Sequence, residues 1–162
     1  MSQESPFLMR STNILQILAL IGFVAGLAVI ITKYPSLPET IPIHFDIQGK
    51  ADNFAPKHWL WSAPVVSAAL YALLTVVSQF PQITNYPVAI TSENAPRQYE
   101  LMQLFMGLLK TELVWIFAFI QWQVVRAASL PGFPFNSFVV LSPVVVIFAT
   151  VGWYIWRAYQ LR

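Results

Sequence analysis

The sequence predicts an all-α membrane protein, four transmembrane helices in an antiparallel bundle with a short extracytoplasmic β-hairpin-like loop between helices 1 and 2. Three observations predict it. Hydrophobic residues make up 57% of the 162 positions and charged residues only 10%, a balance too apolar for a soluble domain of this size. The apolar residues gather into four runs, each long enough to cross roughly 30 Å of hydrocarbon. Between the runs, proline, glycine and asparagine punctuate the chain. Spans are expected at about 13–34, 59–80, 101–125 and 137–156 in one domain, 1–162, with the polar loop over 35–58.

Residues 1–10 read as a polar arm ending in Arg10, and no charge follows from Ser11 to Thr32, a run of 22 residues. A cleaved secretory signal would have a shorter apolar core and a small-residue cleavage site; Lys33, Tyr34 and Pro35 follow here, so this is an uncleaved anchor. Gly22 and Gly26, with Ala19 one turn earlier, let another helix approach closely, although glycines are also tolerated in any membrane helix. Trp59 and Trp61 open the second span at the interfacial level, and Pro64 falls near its first turn, where a missing amide costs least. Ser67, Ala68, Ala69 and Ala72 give this helix a small-residue surface, the expected partner of the Gly22/Gly26 face.

Residues 81–94 make the second loop. Asn94 is the expected N-cap of a third helix with Pro96 in its first turn, running from about Ala95 to Val125 or Arg126. About 30 residues would reach roughly 45 Å, so its first turns should project into water. Pro131-Gly132 is the next turn, with Phe133 and Phe135 free to lie in the interface. In the fourth span Pro143 is expected to kink the helix, and Trp153, Tyr154 and Trp156 to form an aromatic belt before Arg157.

Four spans place both termini on one side. Arg10, Arg97, Arg157, Arg162 and the N-terminal amine lie there, against Lys33, Lys50, Lys57 and Arg126 on the other, so the positive-inside rule barely favours cytoplasmic termini. A net charge of +2 and scattered basic residues give no footprint for nucleic acid. The absence of cysteine removes disulfides and thiolate metal sites.

Chemistry, if any, belongs to the stretch from Leu37 to Lys57. Ile41, Ile43, Phe45 and Ile47 alternate with Pro42, His44, Asp46 and Gln48, which predicts a short half-buried strand with His44, Asp46 and Gln48 on its polar face. Gly49 supplies a turn that accepts positive φ, and Asp52 and Asn53 follow as turn or capping residues. An enzyme would draw on His44, Asp46, Asp52 and His58 as metal ligands or acid–base groups, but the spacing matches no metal or nucleophile motif. A solvated strand face is the plainer reading, with no cofactor expected. Lys50 and Lys57 are expected to meet lipid phosphates or Asp52.

Lys110 and Glu112 are the ionisable residues inside the spans. At 100° per residue, Gln103, Lys110 and Gln121 share one stripe of the third helix, while Glu112 and Gln123 share the opposite one. Two readings stand: the helix sits low and both charges lie near the interface, or one stripe packs inside while the other meets a partner membrane protein or a second copy.

The loop also carries a resemblance. Leu37, Pro38, Ile41, Pro42, His44, Phe45, Gly49, Asp52 and Lys57 follow the pattern L-P-x-x-I-P-x-H-F, a glycine turn, Asp and Lys, which resembles the SdpI-like family of small bacterial membrane proteins. The resemblance covers the first helix, the loop and the second helix. It implies a multi-pass protein of the bacterial plasma membrane and a noncatalytic role of the toxin-immunity or sensing kind. The signalling parts of the longer immunity-type member are expected to be missing from a chain this short. On this basis His44, Phe45, Asp46, Gly49, Asp52, Lys57, Lys110 and Glu112 are the expected ligand- or partner-binding residues, with a peptide, membrane lipids or another copy as partner. An accessory subunit of a larger membrane complex is the alternative, and a metal-dependent enzyme is ranked below both.

Overall fold

The computed structural model describes residues 6–46, 48–130 and 137–162. Helix α1 spans Pro6–Lys33, strands β1 and β2 span Thr40–Phe45 and Ala51–Pro56, and α2, α3 and α4 span Ser62–Ser78, Ala95–Ser129 and Ser137–Gln160. Short 3-10 turns at Tyr34–Ser36, Lys57–Trp61 and Pro81–Ile83 join them. All four helices are long and apolar enough to cross a membrane, as expected for a multi-pass protein. The strands pair antiparallel in the predicted place between α1 and α2.

The arrangement is organised by α3, whose 35 residues make it the longest helix. Its three partners all pack on it, whereas α1 and α2 make little contact with each other. The side-chain contacts fix the directions. Thr111 Oγ1 of α3 donates to the Leu15 carbonyl of α1 at 3.0 Å and Trp115 Nε1 to the Leu18 carbonyl at 3.1 Å, so α1 runs parallel to α3. Lys110 Nζ donates to Thr75 Oγ1 of α2 at 3.2 Å, and Phe105 stacks on Tyr154 of α4 with centroids 4.2 Å apart. Fully buried Gln98 adds a bond from Nε2 to the Ala158 carbonyl at 2.9 Å, tying the start of α3 to the end of α4. Earlier in α2, Pro64 and Ser67 lie beside Phe117 and Gln121, later in α3, so both α2 and α4 are antiparallel to α3.

Several sequence expectations change at this level. The glycine face of α1 packs mainly on α3, with Ser67 of the expected α2 surface and Pro64 beside it. A Cβ on Gly22 would stand 3.0 Å from the Trp115 ring, and one on Gly26 would stand 2.5 Å from Gln121 Oε1 and 3.3 Å from the Ala118 Cα. Here the absent side chains admit a tryptophan and a glutamine as well as the small Ala118, so the close approach serves bulky partners and a small one together. Tyr154 leaves the aromatic belt: it is only 5% exposed and packs with Leu101, Met102, Phe105 and Ala158, while Trp156 stays outward. Asn94 stands at the start of α3 but does not cap it with its side chain. Its Oδ1 accepts from the Thr91 amide at 2.9 Å and its Nδ2 donates to the Ala89 carbonyl at 3.0 Å, which braces the preceding loop. Pro143 lies inside α4, which continues through it. The expected Pro131-Gly132 turn, Phe133, Phe135 and Ile47 lie outside the described residues.

The α1–α3 approach is open to a direct test. Gly26→Leu forces a branched side chain into the space of Gln121 and Ala118 and is expected to cost about 1–3 kcal/mol by overpacking. Gly152→Ala, whose Cβ meets nothing within 4 Å, should leave thermal unfolding in detergent unchanged.

Candidate functional site

The hairpin forms because β-branched Thr40, Ile41 and Ile43 favour extended backbone and Gly49 reverses the chain at φ 80°. It is seated on the ends of α1 and α3 by a cluster of Ile30, Leu37, Ile41, Leu60 and Val125. The alternation expected from the sequence does not persist through β1. Register irregularities between Pro42 and His44, and again between His44 and Phe45, shift its phase, so that Pro42 is buried with Ile41 while Ile43 faces out.

That shift separates His44 from Asp46. Asp46 lies past the end of β1 and holds the turn: its Oδ1 accepts from the Lys50 amide at 2.8 Å and its carbonyl from the Gly49 amide at 2.9 Å. His44 instead pairs across the strands with Asp52, Nδ1 to Oδ1 at 2.5 Å, in an exposed position. Phe45 is half-buried beside it. Lys57 meets neither Asp52 nor an open surface. Its Nζ stands 3.0 Å from Glu39 Oε1, 3.4 Å from the Leu37 carbonyl and 5.2 Å from the centre of the Tyr34 ring, with 17% of the side chain exposed. It staples the hairpin to the end of α1. Among the described residues, no three of His, Asp and Glu gather where a metal ion could be held, and His58 sits apart in the 3-10 turn before α2.

The second locus is the space that α1 and α2 leave between them over α3. A polar cavity of about 400 Å³ is walled by Asn13, Gln16, Thr75, Gln79, Gln103 and Lys110, among others. It adjoins an apolar cavity of about 620 Å³ walled by Ile17, Leu20, Phe23, Ala68 and Val114. Asn13, Gln16 and Tyr71 belong to both walls, so the two are continuous. Each volume is of the size that small-molecule sites have, roughly 300–1,000 Å³.

Lys110 is 6% exposed at the polar end. Its ammonium donates to Thr75 Oγ1 and lies 5.2 Å from the centre of the Tyr71 ring. Ion pairs among the described residues join His44 to Asp52 and Lys57 to Glu39, and none reaches Lys110. The Thr111–Leu15 bond sets its level along α1. Leu15 stands about 7 Å from Arg10 and about 27 Å from Lys33 at 1.5 Å per residue, so Lys110 lies toward the end of the spans that carries the chain termini.

Glu112 points the other way, accepting from Thr150 Oγ1 of α4 at 2.5 Å, with Oε2 buried and unpartnered among the described residues. The two stripes of α3 do oppose each other. Both are nonetheless covered within the chain, since α1 and α2 flank Gln103, Lys110 and Gln121, α4 meets Glu112, and Gln123 is buried at 4%. The expectation that one stripe is left over for a partner does not follow from this packing.

Residues 21–68 match the model of a protein family. It is described as a domain of unknown function, DUF1648. The match takes in the second half of α1, the whole hairpin and the first turns of α2, less than a third of the chain. No curated protein and no solved structure matches the chain.

Of the expected residues, His44, Phe45, Asp46, Gly49, Asp52 and Lys57 lie in the loop, Lys110 and Gln103 wall the polar cavity and Glu112 faces α4. Among the walls not expected from the sequence are Asn13, Gln16, Thr75 and Gln79. A signal was present: Asn13 and Gln16 stand one turn apart in an otherwise apolar span, and Thr75, Ser78 and Gln79 repeat the pattern at the end of α2. The different roles of the loop residues are separable by substitution. Lys57→Met is expected to speed amide exchange across Thr40–Phe45 at least several-fold, because it frees the hairpin from α1. His44→Ala should leave exchange near the wild-type rate, since an exposed pair contributes at most about 1 kcal/mol.

Proposed function

We propose that the protein is a noncatalytic membrane protein that binds a ligand carried in the bilayer, of the immunity or sensing type. The observation that carries this reading is the continuous polar and apolar cleft between α1, α2 and α3, with a buried lysine at its polar end. Polar groups around a cavity at membrane depth are costly and mark ligand paths in membrane proteins. The likeness of the loop motif to SdpI-like proteins supports the immunity version, in which the ligand is a peptide. The slight charge bias supports cytoplasmic termini and a hairpin outside the cytoplasm, and the likeness of the loop motif supports a place in the bacterial plasma membrane. On this reading the stapled hairpin closes the far end of the bundle and the exposed His44–Asp52 pair is its outward polar feature.

A second reading, an accessory subunit of a membrane complex, is favoured by one observation. Helix α4 packs mainly on α3 and leaves Leu141, Val145, Phe148 and Trp156 outward.

Native mass spectrometry of protein extracted gently from its own membrane separates the two. The ligand-binding reading expects a small non-protein or peptide mass at one per chain, lost in Ala68→Phe, which fills the apolar cavity. A wild-type protein that carries no added mass overturns it, and a stoichiometric second protein with an empty cleft puts the accessory reading in its place.

A further inference from the structure

We infer that the occupant of the cleft is an anionic phospholipid drawn from the leaflet on the side of the chain termini, its phosphate on Lys110 and one acyl chain along the apolar cavity. This rests on the ligand-binding reading above and names the chemistry of the ligand.

The first argument is charge. An ammonium offers three donors, and the described contacts of Lys110 are one hydroxyl and the face of one ring. The residue is 6% exposed and no carboxylate among the described residues pairs with it. A buried, uncompensated cation in a low-dielectric span is stabilised by an anion, and lysine serves phosphate well as a compact point charge. Asn13, Gln16 and Gln103 bring amide donors to the same cavity, and no acidic side chain among the described residues lines it. A headgroup with its own ammonium would find no anionic partner there, so the site favours a net negative lipid over a zwitterionic one.

The second argument is length and access. From Met9 to Phe23 the cleft follows α1 for about 21 Å, and its apolar part, from Asn13 to Phe23, for about 15 Å, which is half of a hydrocarbon layer of roughly 30 Å, the depth of one leaflet. The polar end lies toward the termini and the apolar end toward the middle, the order in which a lipid of that leaflet presents headgroup and chain. Because α1 and α2 make little contact, the groove is open sideways, and a second acyl chain stays in the bilayer.

The test is a titration of delipidated full-length protein with phosphatidylglycerol or phosphatidylcholine of identical chains, read by native mass spectrometry and by the shift in Tm. The wild type is expected to hold one phosphatidylglycerol roughly tenfold more tightly than phosphatidylcholine. Lys110→Met should abolish that preference, Lys110→Arg should keep most of it, and Ala68→Phe should lose both lipids. Equal retention of the two lipids by the wild type overturns the inference, as does a preference that survives Lys110→Met. The wild-type comparison needs no substitution, so a misfolded Lys110→Met protein does not remove the test. If Ala68→Phe expels a peptide or a neutral ligand and no headgroup preference exists, the phospholipid falls and the ligand-binding reading stands. If the wild type retains nothing from membrane or titration, both fall.

Discussion

The close approach of α1 to α3 through Gly22 and Gly26 is the constraint on which the other positions depend. With no side chains at those positions, the Trp115 ring and the Gln121 amide lie against the α1 backbone, and Trp115 and Thr111 bond carbonyls of α1 directly. Bonds of this kind hold well in an apolar medium, where water does not compete. Once α1 is fixed on α3 in this way, α2 takes a separate position along the same helix, anchored by the meeting of Thr75 and Lys110. The gap between α1 and α2 is thus a consequence of two helices each satisfying α3 before each other.

The polar groups of α3 follow the same logic. Lys110 and Glu112 are two residues apart, and side chains at that spacing point to different faces of a helix and do not pair. Each needs its own partner within the span. Thr150 supplies one for Glu112 Oε1 from α4 and leaves Oε2 without a partner among the described residues, and Thr75 with Tyr71 supplies one for Lys110 from α2. A central helix with neighbours on opposite sides can cover two polar stripes, whereas a helix at the corner of a square bundle covers one. What sets the Lys110 side apart is the open space beside it between α1 and α2, whereas Glu112 is closed in against α4.

The helices, their order and the hairpin were legible in the sequence because each depends on local pattern: uncharged runs for the spans, Gly49 for the turn, prolines and asparagines for the loops. What could not be read was which surfaces meet. The Gly22/Gly26 stripe announces a close neighbour but not its identity, and a tryptophan fits a glycine groove as well as another small face does. Alternation in β1 failed because two register irregularities change its phase, and a period-two pattern contains no mark of a bulge. Tyr154 reads as an interfacial aromatic beside Trp153 and Trp156 until the stacking against Phe105 is seen, since all three residues share the same chemical preference. Lys57, lastly, was placed among the ligand-binding residues by its motif, but its contacts with Glu39, Leu37 and Tyr34 tie it to the fold.

The stretch that matches a family and the stretch that carries the proposed chemistry are largely different. Residues 21–68 contribute the hairpin, its seat around Ile30 and Ile41, and from the cleft the apolar walls at Phe23 and Ala68. The polar end is built by Asn13 and Gln16 before that stretch and by Thr75, Gln103 and Lys110 after it. A motif centred on the loop therefore describes how α1 and α2 are joined and capped. It leaves the polar end of the cleft free to differ in chains that share the hairpin, because none of the side chains that set its polarity takes part in holding the hairpin together. On this division of labour a resemblance confined to the loop predicts architecture well and says little of the cleft, whose polar character is set by the α3 residue that stands opposite Thr75.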